Sequence, residues 1–414
     1  MIVLYDDDRA RKFEPFATTR PLGEMRAGAL LVRERWAHAL HGSVTGFVAS
    51  DAQRTFTEFD APPFVETGAW LAAGTVVANT RALPFVATRM PRDVDSWTVG
   101  GQVAAVRLHE ALNSAALLDG SYVLTADASR RTVEIDGVWL DEVWDLIRHL
   151  NVLLASDIPA LAAHLECTPL EDDGSRARGP VVVGAHPVWL ETGAIVEPFT
   201  VFDTTLGAVL LRKGSAVQSF TRVVGPCYVG RDSVIVADRI SGSSIGDTCR
   251  VHGELSASVF IGHANKGHDG FVGHSIFGRW VNLGAGTVTS NLKNTYSTVA
   301  LWTPDGVRDT GLQFLGTLFG DHAKTGIGMR LNTGTVLGAG SNVMDAMPPK
   351  AVAPFSWGTH APYDAFSLDK FLDTAARMMA RRSVTLDDAQ IAHLSAAHAR
   401  ADARARIESL GWSG

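Results

Sequence analysis

The sequence predicts three parts in order: an α/β domain, a left-handed parallel β-helix built from hexapeptide repeats, and a C-terminal helical tail. Three observations predict this. Apolar residues recur every six positions through the second half of the chain. Several of them are followed directly by glycine. Strand-like and helix-like segments alternate before residue 165, whereas the pattern past Trp357 is helical. A fixed short period means one structural unit that buries its core only by stacking on its neighbours.

The N-terminal part, residues 1–178, has no six-residue period. Ile2-Val3-Leu4-Tyr5 reads as a buried strand, Leu22 to Leu40 as a helix, and Phe47-Val48-Ala49 as a second strand. Further short strands are expected near 75–78, 84–88, 103–108 and 121–125, and a helix over 140–153. Alternation of this kind points to an α/β domain. The polar run Glu171-Asp172-Asp173-Gly174-Ser175-Arg176-Ala177-Arg178-Gly179 has the composition of a linker.

The coil occupies residues 179–357. Val183, Trp189, Ile195 and Val201 are six apart, as are Leu211, Val217, Val223, Val229 and Ile235. Phe271, Phe277 and Leu283 repeat the spacing, and Leu331, Leu337 and Val343 resume it. Glycine and asparagine suit the corners because they tolerate positive φ. Thr303-Pro304-Asp305-Gly306 is turn chemistry inside the repeat. Its flanks, 297–302 and 307–312, predict a hairpin protruding from the coil. Residues 358–414 form the tail, with helices expected over 368–381 and 386–410 and a role in capping the open end of the coil.

Composition narrows the function. The net charge is −7, from 37 basic and 44 acidic residues, and no basic stripe marks a nucleic-acid surface. No apolar run approaches the roughly 20 residues that span a bilayer. The start, MIVLYDDDRARK, is acidic where a secretory signal is basic, so a cytoplasmic location is expected. Cys167, Cys227 and Cys249 are too few and too irregular for a disulfide framework or a zinc site.

One stretch is denser in polar residues than a structural coil needs: His263 to Gly270, Val281 to Thr287, and Ser290 to Asn294. With coils of roughly 18 residues, Glu254, His268 and Asn282, 14 apart, are expected on neighbouring coils. A histidine is suited to take the proton from an attacking amine, because its ordinary pKa lies near neutrality. A carboxylate is suited to orient that imidazole, amides to bind sugar hydroxyls or an oxyanion, and Lys266 to pair with phosphate. His263 matches no such role and is expected to be silent.

Residues 180–300 resemble the acetyltransferase domain of the bifunctional family that makes UDP-N-acetylglucosamine, the N-acetylglucosamine-1-phosphate uridyltransferase / glucosamine-1-phosphate N-acetyltransferase family. Its motifs read here as Asn265-Lys266-Gly267-His268, Asn282-Leu283-Gly284-Ala285-Gly286-Thr287 and Thr289-Ser290-Asn291-Leu292. The resemblance implies His268 as the catalytic base, Glu254 as its assistant, and Asn282 and Asn291 as site amides. Ser256, Phe271 and Leu292 depart from the family pattern, which changes the expected phosphate and substrate contacts. A bacterial offshoot of the family, with a shortened nucleotidyltransferase-like first domain, is similar along nearly the whole chain. That similarity rests on Thr19-Arg20-Pro21, Arg26-Ala27-Gly28, Glu34-Arg35-Trp36, Asn265 to Gly270, Gly320 to Gly326, Asn332-Thr333-Gly334-Thr335 and Pro354 to Gly358. It implies acetyl-CoA as acyl donor, contacted by Ala285, Lys324 and Asn332, an amino-sugar acceptor and a homotrimer.

Sugar nucleotidyltransferases place a glycine-rich phosphate loop after the first strand. Here that strand runs into Asp6-Asp7-Asp8-Arg9-Ala10-Arg11-Lys12, and only a Thr-Arg remains at Thr19-Arg20. Arg20 and Arg26 are suited either to phosphate or to surface or interdomain ion pairs. Mg²⁺ enters if nucleotidyl transfer is retained. The expected activity is therefore acyl-CoA-dependent N-acetylation of an amino-sugar phosphate or nucleotide-linked amino sugar. Sugar-1-phosphate nucleotidyl transfer is the alternative. A non-catalytic scaffold, or a metal site on His263, His268 and His274, is the third reading.

Overall fold

The computed structural model describes residues 1–86, 93–126, 130–170 and 179–403. The linker expected at 171–179 lies almost wholly outside them, as do residues 404–410 of the helix expected over 386–410.

The N-terminal domain is built on a six-stranded sheet. In spatial order its strands are Thr132–Glu134, Ser96–Val99, Gln102–Arg107, Val76–Asn79, Ile2–Tyr5 and Val44–Val48. Ile2–Tyr5 runs parallel to both of its neighbours. All four of its residues are buried, as the unbroken apolar run requires.

Three expectations for this domain need correction. Leu22–Leu40 is not one helix: a 3₁₀ turn at Leu22–Glu24 and a short hairpin, Arg26–Ala27 against Leu30–Leu31, precede the helix Val32–Ala39. Gly28 makes the turn at φ 65°, where a Cβ would lie 2.2 Å from Asp157 Oδ2. The helix expected over 140–153 instead runs as Asp145–Arg148 and Leu150–His164. Residues 121–125 form no strand.

The second half is a left-handed parallel β-helix of about ten turns over residues 181–358. Three parallel sheets form its faces. Leu211, Val217, Val223, Val229 and Ile235 point into the lumen and are fully buried, as their spacing predicts. The frame at the first coil is off by one residue. Val183 and Ile195 are exposed, while Leu190, Val196 and Phe202 pack inward. The cause is the 21-residue length of that coil, seen in the pairing Val188↔Val209, against 18 in Val209↔Cys227. Val272, not Phe271, faces inward for the same kind of reason.

The corners also differ from expectation. Many carry positive φ at large residues rather than at glycine: Phe199, Phe220, His263, Trp280 and His322 lie between 53° and 66°. Left-handed backbone costs such a residue roughly 1–2 kcal/mol. Their outward side chains stack from coil to coil, which offsets that cost. His263 and Trp280 have ring centroids 4.4 Å apart, and Phe199 and Phe220 are parallel at 5.7 Å.

The hairpin forms as predicted, Ala300–Thr303 against Gly306–Asp309. It accounts for the 42-residue step from Ile276 to its coil partner Leu318. The outer surface of one coil face is not wet. Leu210, Val259, Ile261, Ile276, Leu318 and Val336 belong to the same apolar cluster as Leu150, Leu153 and Leu154. The N-terminal domain therefore lies along the coil.

The tail is more than an end cap. Asp364–Ala365 pairs with the last coil strand, Ser356–Gly358, and closes that edge. The helices Leu368–Ala380 and Asp388–Ala403 then turn back along the coil. His393 Nε2 meets the carbonyl of Thr19 at 2.8 Å, and Arg382 Nη2 donates to Asn265 Oδ1 at 2.7 Å.

Candidate functional site

Coil register assembles the site. On one face Arg250 pairs with Asn265, Asn265 bridges to Asn282, and Asn282 bridges to Lys324. Four coils thus put four outward polar side chains in one column, because residues in register on a parallel coil stack directly. The Asn265 amide donates to Asn282 Oδ1 at 3.3 Å. Steps of 15, 17 and 42 residues separate these positions, rather than a uniform 18. A reading at constant spacing therefore missed the pairing of Asn265 with Asn282.

This column forms the floor of a cleft of about 630 Å³. His268 lies at its rim and is exposed; Ala285 and Ile327 are beside it, and His263 and Trp280 form a wall. The opposite wall is the end of the first tail helix: Arg377, Met378, Arg381 and Arg382. Sequence reasoning gave these arginines no role. Their spacing marks one helix face, but nothing local says which coil that face covers.

Charge is the distinctive property of this cleft. Arg250, Lys324, Arg377, Arg381 and Arg382 line it, and no Asp or Glu does among the described residues. Arg250, Arg381 and Arg382 have no carboxylate partner among them either. Arg250 donates to the backbone carbonyls of Asp232 and Cys249 instead. Burial, with the like charges of Arg250 and Arg381, lowers the pKa of Arg382, and its buried Nε is unpaired. Burial likewise pushes Lys324 down to about 8, with its Nζ on the carbonyl of His322. Clustered cations without counter-charge are costly and favour a bound anion.

Of the residues expected in the site, His268, Asn282, Ala285 and Lys324 meet here. The others stand elsewhere. Glu254 is on the adjoining face, exposed, with its carboxylate 3.6 Å from Arg239. Asn291 donates to His274 Nδ1 at 2.9 Å on another face. Asn332 is exposed beyond that face, next to Leu331.

Three charged candidates are not available to a phosphate. Lys266 occupies the lumen position in register with Val251 and is 2% exposed. Its ammonium donates to the carbonyls of His252 and His268. Arg20 is 3% exposed and pairs with Glu58 and with Asp321 of the coil. Arg26 is buried over the Tyr228 ring and donates to the carbonyls of Ala29 and Ile261. Arg20 thus makes the expected interdomain ion pair, whereas Arg26 reaches the coil through the Ile261 carbonyl and the Tyr228 ring and has no ion pair among the described residues.

Metal chemistry on His263, His268 and His274 finds no support in the geometry. His263 Nδ1 faces Arg279, His274 Nδ1 faces Asn291, and His274 does not line the cleft. At the carboxyl end of the first strand, Asp6 accepts from Leu22 N and the Thr80 hydroxyl. Asp7 is paired with Arg81, and Asp8 with Arg11. These carboxylates already hold cations or donors, so they do not fit a ready Mg²⁺ site.

Comparison with known proteins agrees with this architecture. Residues 2–165 match the family of sugar nucleotidyl transferases. The chain is 26% identical over 212 residues to the bifunctional protein GlmU of Methanococcus vannielii, covering 50% of this chain and 44% of that one. It is 30% identical over 133 residues to GlmU of Carboxydothermus hydrogenoformans, covering 31% and 25%. With GlmU of Desulfitobacterium hafniense it shares 27% over 203 residues, covering 42% and 41%. The matches span less than half the length of each of these relatives.

Proposed function

We propose that this GlmU-like chain is an acyl-CoA-dependent N-acyltransferase, acting on a phosphorylated or nucleotide-linked amino sugar. The observation that supports it best is an exposed imidazole, His268, at the rim of a cation-rich cleft that no acidic residue lines among the described residues. Acetyl-CoA is the donor in this reading; its phosphates suit the arginine wall.

The acceptor nitrogen attacks the thioester carbonyl while His268 takes its proton. The C–N bond forms, the C–S bond breaks, and CoA leaves as thiolate. Asn282 and Asn265 offer amide groups to the acceptor or to the developing oxyanion. Lys324 holds an anionic group, and Ala285 leaves room for the donor at the cleft mouth. Asn291 and Asn332, on another face, act in this scheme only where a second copy brings that face to the cleft. Glu254 supports His268 through the same corner, since its neighbour Gly253 lies against the His268 carbonyl. The stacked, half-to-three-quarters exposed Phe199 and Phe220 supply an apolar edge for a homotrimer.

Nucleotidyl transfer is the second reading, favoured by the match over residues 2–165. Against it, Arg20 is buried in an interdomain pair and the hairpin of the coil overlies the strand ends. Lys12 Nζ lies 3.2 Å from Asp305 there. The test is direct: incubate the purified protein with acetyl-CoA or UTP and a panel of sugar phosphates and nucleotide sugars. Release of free CoA supports the first reading, and pyrophosphate release without CoA release replaces it with the second.

A further inference from the structure

The wall of the cleft includes one side chain that the reaction scheme leaves idle, His263, and its environment is set by the other domain. Arg279 Nη1 lies 3.3 Å from His263 Nδ1. A guanidinium has donors only, so Nδ1 must accept, and the ring proton must sit on Nε2. The ring is held in plane by Phe59 of the N-terminal domain, stacked at 4.7 Å and 18°, and by Trp280 at 4.4 Å. Burial and the Arg279 charge push its pKa down to about 4, so the imidazole is neutral near pH 7.

Arg279 is itself fixed from the N-terminal domain. Its Nε lies 2.8 Å from the Glu58 carboxylate as an ion pair, and that carboxylate accepts hydrogen bonds from Arg20. Its guanidinium packs 4.8 Å from the Phe59 ring centroid. Glu58 and Arg20 are buried, so two cations share one carboxylate away from water. The chain of contact runs Arg20, Glu58, Arg279, His263, cleft.

We infer that Glu58 and Arg279 are positioning residues through which the N-terminal domain locks His263 as a neutral Nε2–H donor at the cleft. The domain that carries no phosphate loop thereby serves the coil's site. Nε2 has no protein partner among the described residues, so it is the atom left for a ligand oxygen. That this oxygen is the thioester carbonyl or an acceptor hydroxyl rests on the acyltransferase reading; the tautomer does not.

The test uses full-length protein labelled with [¹⁵N]histidine, with the His263 signals identified by their loss in His263→Ala. Wild type is expected to show the Nε2–H tautomer of His263 alone. Arg279→Met should convert it to a mixture or to Nδ1–H, and Arg279→Lys, which keeps a donor, should restore it. Glu58→Gln should give an intermediate spectrum. In the CoA-release assay, Arg279→Met should lower kcat about 10-fold or more with KM little changed, the mark of a lost donor. An Nδ1–H form in wild type, or an unchanged tautomer in folded Arg279→Met, would overturn the lock. A changed tautomer with unchanged kcat would overturn its role in turnover. The spectra need no turnover, so they stand even where the acyltransferase reading falls.

Discussion

Arg382 reaches from the tail to Asn265 on the coil, Nη2 to Oδ1 at 2.7 Å, and this hydrogen bond ties the segment after the first tail helix to the floor of the cleft. Its neighbour Arg381 projects to solvent without a carboxylate partner among the described residues. Reversing that charge, Arg381→Glu, should raise KM for acetyl-CoA about 10–100-fold, the scale of one lost charge-assisted contact. The fold and kcat should change little, because Arg381 is exposed. Added salt should weaken donor binding in wild type more than in the variant. KM measured at two ionic strengths checks both statements; equal salt dependence in the two proteins would rule out an anion contact there.

His268→Ala should lower CoA release by about 10²–10⁴-fold, the usual contribution of a positioned base. The melting temperature should stay close to wild type, since the side chain is exposed. Glu254→Gln should cost less than about 10-fold, because its carboxylate stands by Arg239 and moves no proton in the proposed step. A Glu254→Gln loss as large as that of His268→Ala would mean that the two side chains act as one unit.

Much of this organisation was legible in residues, and what was hidden has a common cause. Leu211 to Ile235 give the coil because an inward position on a stacked coil must be apolar at each step. The hairpin at Pro304-Asp305-Gly306 was visible because turn chemistry is local. The pairing of Asn265 with Asn282 was hidden, because coil length drifts from 15 to 21 residues and a drift of one or two changes which side chains stack. The pairings of Arg20 with Asp321 and of Arg279 with Glu58 were hidden for a different reason. Those partners lie hundreds of residues apart, and no period links them. The same holds for the tail arginines over the cleft.

The buried Arg20 holds two carboxylates, and removing it leaves Asp321 without a cationic partner among the described residues and Glu58 with Arg279 alone. Arg20→Ala should destabilise the protein by about 3–5 kcal/mol, the cost of leaving buried charge unpaired. Denaturant unfolding followed by separate probes of the two domains should then show two transitions in place of one. A single transition with an unchanged midpoint would mean that the network contributes nothing net.

Stability should fall with acid in a window set by buried imidazoles. His263 and His274 are pushed down to about 4 and His322 to about 3, in each case mainly by burial. Below the ordinary value of 6.5 the unfolded chain binds protons that the folded chain refuses, so stability is lost as pH falls from there. Glu58, held at about 2 by Arg20 and Arg279 despite its burial, adds a loss below about 4.5. Asp6 and Glu24, raised by burial to about 6 and about 7, act the other way as they take up protons. Those two offset the histidines until the unfolded chain's own carboxylates protonate near about pH 4, so the melting temperature should fall gently from about pH 6.5 and more steeply below about pH 4.5, where Glu58 adds its loss. His322→Gln should flatten that slope, and an unchanged slope would mean that His322 is charged in the fold.

Lys266 distinguishes a phosphate contact from an internal brace. Its ammonium lies in the coil lumen, donating to the carbonyls of His252 and His268, and burial lowers its pKa to about 8. It therefore ties two successive corners, the second of which carries His268. Lys266→Met keeps the stem volume and removes the donor, leaving two carbonyls unpaired in the lumen. Each unsatisfied buried group costs about 1–3 kcal/mol, so the melting temperature should fall. His268 should then be less well placed, and kcat should drop with KM for the anionic substrate nearly unchanged. Gly253→Ala should mimic this from the other side. Its φ is +86°, and the added Cβ would sit 2.6 Å from the Lys266 ammonium and 3.1 Å from the His268 carbonyl. A Lys266→Met protein with wild-type stability and a KM raised 10-fold or more would instead place the ammonium on the substrate.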